Sequence, residues 1–139
     1  MNVARLRRLG RRLVELSKTA AGETKGPPLT PGEEAVFEDV LRHPGGTVGE
    51  IQARTGFVQS HVSASVARMR ERGLVRTEPD PGDGRRTLVT LTDPALAAVH
   101  RRAARPVEEA VRAAVGDDPE RAARVMALLA ELESLLLTD

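Results

Sequence analysis

Gln59, Ser60, His61 and Ser63 stand together at the head of one helical pattern, and each can exchange hydrogen bonds with a nucleic-acid base edge. Glutamine pairs bidentately with adenine, and serine serves several bases. Arg85 lies in a Pro-, Gly- and Asp-rich stretch downstream and is the residue type that narrow A·T-rich minor grooves attract. Arg54, Arg68 and Arg86 are candidates for phosphate contacts, which position a protein without reading sequence. Of the 21 basic residues only Lys18 and Lys25 are lysines, and the rest are arginines, whose planar fork suits phosphates and base edges. A GC-rich genome's codon choice gives the same bias.

Other chemistries find few residues. With no cysteine, disulfides, thiolate catalysis, cysteine redox sensing and Cys-ligated zinc or iron-sulfur sites are excluded. His43, His61 and His100 share no metal-ligand spacing, so His61 reads as a base or phosphate contact rather than a ligand. The acidic pairs Glu108–Glu109 and Asp117–Asp118 are adjacent in sequence, and adjacent helical side chains point in different directions. No phosphate-cradling glycine loop or nucleophile elbow is present. The expectation is a non-enzyme with no catalytic residue, metal or cofactor. Phe37 and Phe57 are the only aromatics, which leaves no base-stacking platform of the kind single-strand binders use.

The polar quartet needs a helix to present it, and the chain predicts one from about Gln59 to Arg72, with Val62, Val66 and Met69 inward and Gly73 closing it. Before it, Thr47 and Glu50 form a capping box for a short helix through about Thr55, and Gly56 makes the turn between the two. Two short helices joined this way are a helix-turn-helix. The β-prone stretches Leu74–Glu78 and Thr87–Leu91 flank a loop, Pro79–Arg86, and read as a hairpin that makes the motif winged. Upstream, Thr30, Pro31 and Glu33 start a helix to about His43, with Val36, Phe37, Val40 and Leu41 inward.

Both ends of the chain are amphipathic. Leu6, Leu9, Leu13, Leu16 and Ala20 form a seam on a helix from Val3 to Ala21. A long helix from Asp93 to about Val115 should be kinked or divided at Pro106. Asp118 and Pro119 start a last helix to about Leu136, whose stripe includes Leu128, Leu129, Leu132 and Leu135. Met1–Lys18 carries five arginines and Lys18 against Glu15 alone, whereas Asp117–Asp139 carries six acids against Arg121 and Arg124. Such stripes must be covered, because each buried Leu or Val is worth about 1.5 to 3 kcal/mol. One chain could fold its own ends together, but the more economical reading, helped by the opposite charge of the two ends, is that the termini of two chains intertwine. A homodimer is therefore expected, with Leu6, Leu9, Leu13, Leu128, Leu132 and Leu135 at its interface.

With 139 residues the chain predicts one folding unit plus arms: 1–28 an N-terminal dimerisation helix and linker, 29–92 the winged unit, 93–139 the C-terminal dimerisation helices. The fold class expected is mainly α with a small β-hairpin wing (α+β). No apolar run reaches the roughly 20 residues of a membrane span, so a cytoplasmic protein without a membrane partner is expected.

The sequence resembles the MarR family of winged helix-turn-helix transcriptional regulators. The resemblance runs from LTPGEEAVFEDVL through TVGEIQARTG and VQSHVSASVARMRERGLV to the wing, where Asp80, Pro81, Asp83, Arg85, Val89, Leu91 and Thr92 match the family's DPxDxR…VxLT pattern. It implies a homodimer on double-stranded DNA, with the helix pair in the major groove, Arg85 in the minor groove and Asp83 bracing the wing. It further implies a repressor on a pseudo-palindromic operator. Many members release DNA when a small, often phenolic ligand enters the cleft between dimer bundle and winged unit, so an effector is a further partner implied. The chain departs from the pattern at Gly84, Ala95, Ala64 and Val58, the last standing where a Ser or Thr N-cap is usual. The competing reading is a winged-helix protein-interaction module, which should carry apolar residues in place of Arg85 and the polar helix start.

Overall fold

Caps written into the sequence start most of the helices. The computed structural model describes residues 1–137. In α2 (Pro31–Arg42) the Thr30 hydroxyl accepts from the Glu33 amide at 3.2 Å while the Glu33 carboxylate accepts from the Thr30 amide at 3.1 Å. Thr47 and Glu50 repeat this at the head of α3 (Val48–Thr55), and each box satisfies two amides that a helix start leaves without partners. Gly56 takes φ +74°, a left-handed conformation that costs glycine nothing, and turns the chain toward α4 (Gln59–Glu71). Val58, the N-cap of α4, makes no side-chain cap bond.

The hairpin is longer than the sequence predicts. Strands β2 (Val75–Asp80) and β3 (Asp83–Leu91) extend well into the stretch read as loop, leaving only Pro81 and Gly82 as the turn. Pro79 sits in β2 opposite Thr87, and the strand order puts β2 at a sheet edge, where proline is tolerated. A short strand β1 (Gly46–Thr47), absent from the sequence reading, pairs antiparallel with Val89 and Leu88 of β3. Pairing is regular from Val75–Leu91 to Pro79–Thr87, then jumps to Asp80–Asp83. The jump leaves Gly84, Arg85 and Arg86 in a bulge without partners in the register. A bulge re-aims side chains near a strand end.

Val36, Val40, Ile51, Val62, Val66, Met69, Val75, Val89 and Leu91 close one core between α2, α3, α4 and the sheet, flanked by half-buried Phe37 and Leu41. These elements belong to one compact unit, residues 24–101, which also takes in most of α5 (Asp93–Ala103).

The second unit joins residues 1–23 to the segment from Arg102 onward. It contains α1 (Val3–Ala21), α6 (Glu108–Ala114) and α7 (Pro119–Leu136), the last capped by Asp118. Pro106 divides the expected long helix into α5 and α6 rather than merely bending it. Ala110 and Val111 are the buried residues of α6, whereas no residue of α1 or α7 is buried. The C-terminal carbonyls of α1 are held by two guanidinium groups: Arg105 donates to Ala21 O at 2.7 Å and Arg102 to Gly22 O at 3.1 Å. Among the described residues, no helix is long and apolar enough to cross a membrane.

Candidate nucleic-acid interface

Helix period decides which side chains of α4 face outward. Val62, Ser65, Val66 and Met69 are buried, whereas Gln59, Ser60 and Ser63 are exposed, with Gln59 and Ser63 about one turn apart on one strip at the edge of the buried face. Gln59 and Ser63 line a cleft of about 840 Å³. Its far wall is the bulged start of β3, with Arg85, Arg86 and Thr87, and its floor is the first half of α3. Thus Gln59, Ser63, Arg85 and Arg86 are brought together, from segments far apart in sequence.

The wing arginines are held by their backbone rather than by burial. Asp83 Oδ1 accepts from the Arg85 amide at 3.1 Å, and Asp80 Oδ1 accepts from the Gly82 amide at 2.9 Å. The Asp83 carboxylate also lies 3.8 Å from each of the Arg85 and Arg86 guanidinium groups. The Arg85 side chain is 96% exposed, so the pair is weak and the guanidinium is free to take an anion.

Three expected contacts are engaged within the unit. His61 turns inward: its ring meets Phe57 edge-on at 4.7 Å, and Nε2 is buried without a hydrogen-bond partner. The reason is periodicity, since His61 lies four residues from both Phe57 and Ser65 along the inward side. A Cβ on Gly32 would come within 2.6 Å of Nε2, so glycine at that position makes room for the ring. Arg68 is the partner of Glu33, whose side chain is 10% exposed. The bond from Arg68, then the Thr30 amide, holds the Glu33 carboxyl below its ordinary pKa. Arg54 is similarly engaged, donating two bonds to the Asp39 carboxylate at 2.8 and 2.9 Å. Its guanidinium pKa is raised chiefly by Asp39. These two arginines tie α4 and α3 to α2.

The α3 wall of the cleft, with Gly49, Gln52 and Ala53, was not among the residues expected from sequence. Its signal was present: these three are small or polar and recur at the spacing of one helix face, opposite buried Ile51. Glu50, also on the cleft, is committed to the Thr47 amide and lies 3.9 Å from Arg54. No cluster of three or more potential metal-ligating side chains occurs among the described residues.

Residues 37–86, which span the cleft and both of its walls, match the MarR family. No curated protein matches the chain in sequence. Among solved structures, the Thermotoga maritima transcriptional regulator Tm0710 is 19% identical with a TM-score of 0.67, covering 96% of this chain and 94% of its own. A MarR-like transcriptional regulator, tm0816, from the same organism is 19% identical with a TM-score of 0.62, covering 100% and 99%. The PcaV transcriptional regulator from Streptomyces coelicolor, in complex with its natural ligand, is 26% identical with a TM-score of 0.51, covering 93% and 89%. The fold is thus the winged-helix fold of these transcriptional regulators, and residues 37–86 carry the similarity to the MarR family.

Proposed function

We propose that the protein is a homodimeric repressor that binds a pseudo-palindromic duplex DNA site in a sequence-specific manner, in the cytoplasm. The observation that carries this reading is the convergence of Gln59, Ser63, Arg85 and Arg86 on one cleft between recognition helix and wing. α4 enters the major groove with Gln59, Ser60 and Ser63 toward base edges, and the exposed Arg85 reaches the adjoining minor groove. Asp83 supports the wing by holding the Arg85 amide. Arg86 contributes charge to a phosphate, and His61 and Arg68 act by packing and pairing within the unit.

The dimer reading rests on exposed leucines: Leu6 is 59% exposed, Leu128 50% and Leu135 67%. Leu9 and Leu132 are exposed as well, and Leu13 is half-buried. A second copy covers these stripes, and the arginine-rich α1 meets acidic groups of α7. An effector that releases DNA is part of the proposal, supported by the ligand complex of PcaV.

Selection of bound sites from random duplex DNA tests the reading. The expected result is an enriched palindrome with half-sites about one helical turn, roughly 34 Å, apart. Affinity should fall with salt at about −0.9 in log K against log salt per neutralised phosphate. Gln59→Ala should relax preference at one base pair per half-site by about 1 to 3 kcal/mol. Arg85→Ala should cost more on A·T-rich flanks than on G·C-rich ones. Equal losses by both variants on every sequence would remove these two residues from base readout, and recovery of no site at all would refute DNA recognition.

A further inference from the structure

We propose that Val58 reads the C5-methyl group of a thymine in each half-site. This rests on the DNA-binding reading above and adds a determinant of specificity to it. Val58 sits at the N-cap of α4 with extended backbone, φ −72° and ψ 151°. Its carbonyl is fixed by bonds from the His61 amide at 3.1 Å and the Val62 amide at 3.2 Å, so the direction of its side chain is set by the helix. That side chain makes no cap bond and is 66% exposed. The next residue, Gln59, already lines the cleft.

A single exposed valine is ordinarily unremarked, since apolar atoms make up much of any protein surface. The place of this one is what matters. An N-cap favours a hydroxyl or short polar side chain, and valine there forgoes a hydrogen bond to the helix amides. It also leaves an apolar group in the row of polar side chains Gln59, Ser60 and Ser63, which would otherwise be wholly hydrophilic. The major groove offers one apolar feature to such a group, the thymine methyl. A β-branched side chain is stiff about χ1, so little rotamer freedom is lost when it meets that methyl. Gln59 beside it suits adenine, so the two neighbours together favour an A·T pair or an A·T step.

Replacing thymines of the selected site one at a time by deoxyuridine removes the methyl and leaves every hydrogen-bonding group in place. The wild-type protein should lose about fourfold in affinity at one position of each half-site, the value of one buried methyl-sized group. Val58→Ser restores an ordinary cap and so keeps the fold. It should bind thymine and deoxyuridine sites equally, while Gln59→Ala keeps the thymine preference. Indifference of the wild type to deoxyuridine at every position, or an unchanged thymine preference in Val58→Ser, overturns the proposal. Failure to select any site overturns the DNA-binding reading itself, and the proposal with it, which the first round of selection reveals.

Discussion

Glu33 combines two jobs in one carboxylate, closing the capping box of α2 and receiving Arg68 from α4. Its folded-state pKa lies below the ordinary value of 4.5, so its contribution to stability is present in full above that pH. The contribution is lost as pH falls through the depressed folded value. Glu33→Gln keeps an acceptor for the Thr30 amide but removes the charge. Denaturant unfolding at a series of pH values should show the variant less stable than wild type near neutrality, with the gap closing only as pH falls below the ordinary carboxylate value of 4.5 and through the depressed folded one. Gly32 makes a different residue-scale test. Alanine there gains about 0.5 to 1 kcal/mol of helix preference, but its Cβ meets His61 Nε2 at 2.6 Å, and the ring is hemmed in by Phe57. Overpacking of this kind costs about 1 to 3 kcal/mol, so Gly32→Ala should destabilise the protein. Adding His61→Ser should then recover part of the loss, seen as favourable coupling in a double-mutant cycle. His61 was legible in sequence as a polar neighbour of Gln59. That it turns inward depends on Phe57 and on a glycine in another helix, which no local pattern carries.

Elements with caps were legible nearly to the residue, because a capping box and a glycine turn are local chemistry: α2, α3 and α7 begin where Thr30, Thr47 and Asp118 predict. The wing was less so. Pro79 reads as a breaker in isolation, yet an edge strand tolerates it, and which strand lies at the edge is a property of the sheet. β1 is too short to have a pattern and exists because β3 offers its backbone. The bulge at Arg85 and Arg86 follows from the same pairing. Within it the Asp83 side chain acts through a backbone bond rather than through its charge, since exposed ion pairs contribute at most about 1 kcal/mol. Asp83→Asn keeps an acceptor for the Arg85 amide, and Asp83→Ala does not. The alanine variant should lose the preference for A·T-rich flanks while the asparagine variant keeps it. Thermal unfolding of both should stay within about 0.5 kcal/mol of wild type.

At the scale of the molecule the proposed dimer rests on the exposed stripes of α1 and α7. Placing aspartate at both Leu128 and Leu132 should abolish the dimer and most folded structure, as light scattering with circular dichroism would show; a dimer that survives both charges, or a well-folded monomer, would overturn the assignment. The seams were legible because they are periodic, whereas the division of the chain into its two units was not, since it depends on which helices find each other. That division has a consequence for synthesis. Residues 24–101 are one unbroken stretch, and their core needs nothing from either end of the chain. The unit can therefore close as soon as it leaves the ribosome. α1 is made first but packs against α6, which begins only at Glu108. At about 5 to 20 residues per second, α1 waits on the order of 5 to 20 seconds for its partner. Leu6 and Leu9 stay exposed even once α1 has met α6, so throughout that interval the flanking Arg5, Arg7, Arg8, Arg11 and Arg12 are the charges that oppose sticking between nascent chains.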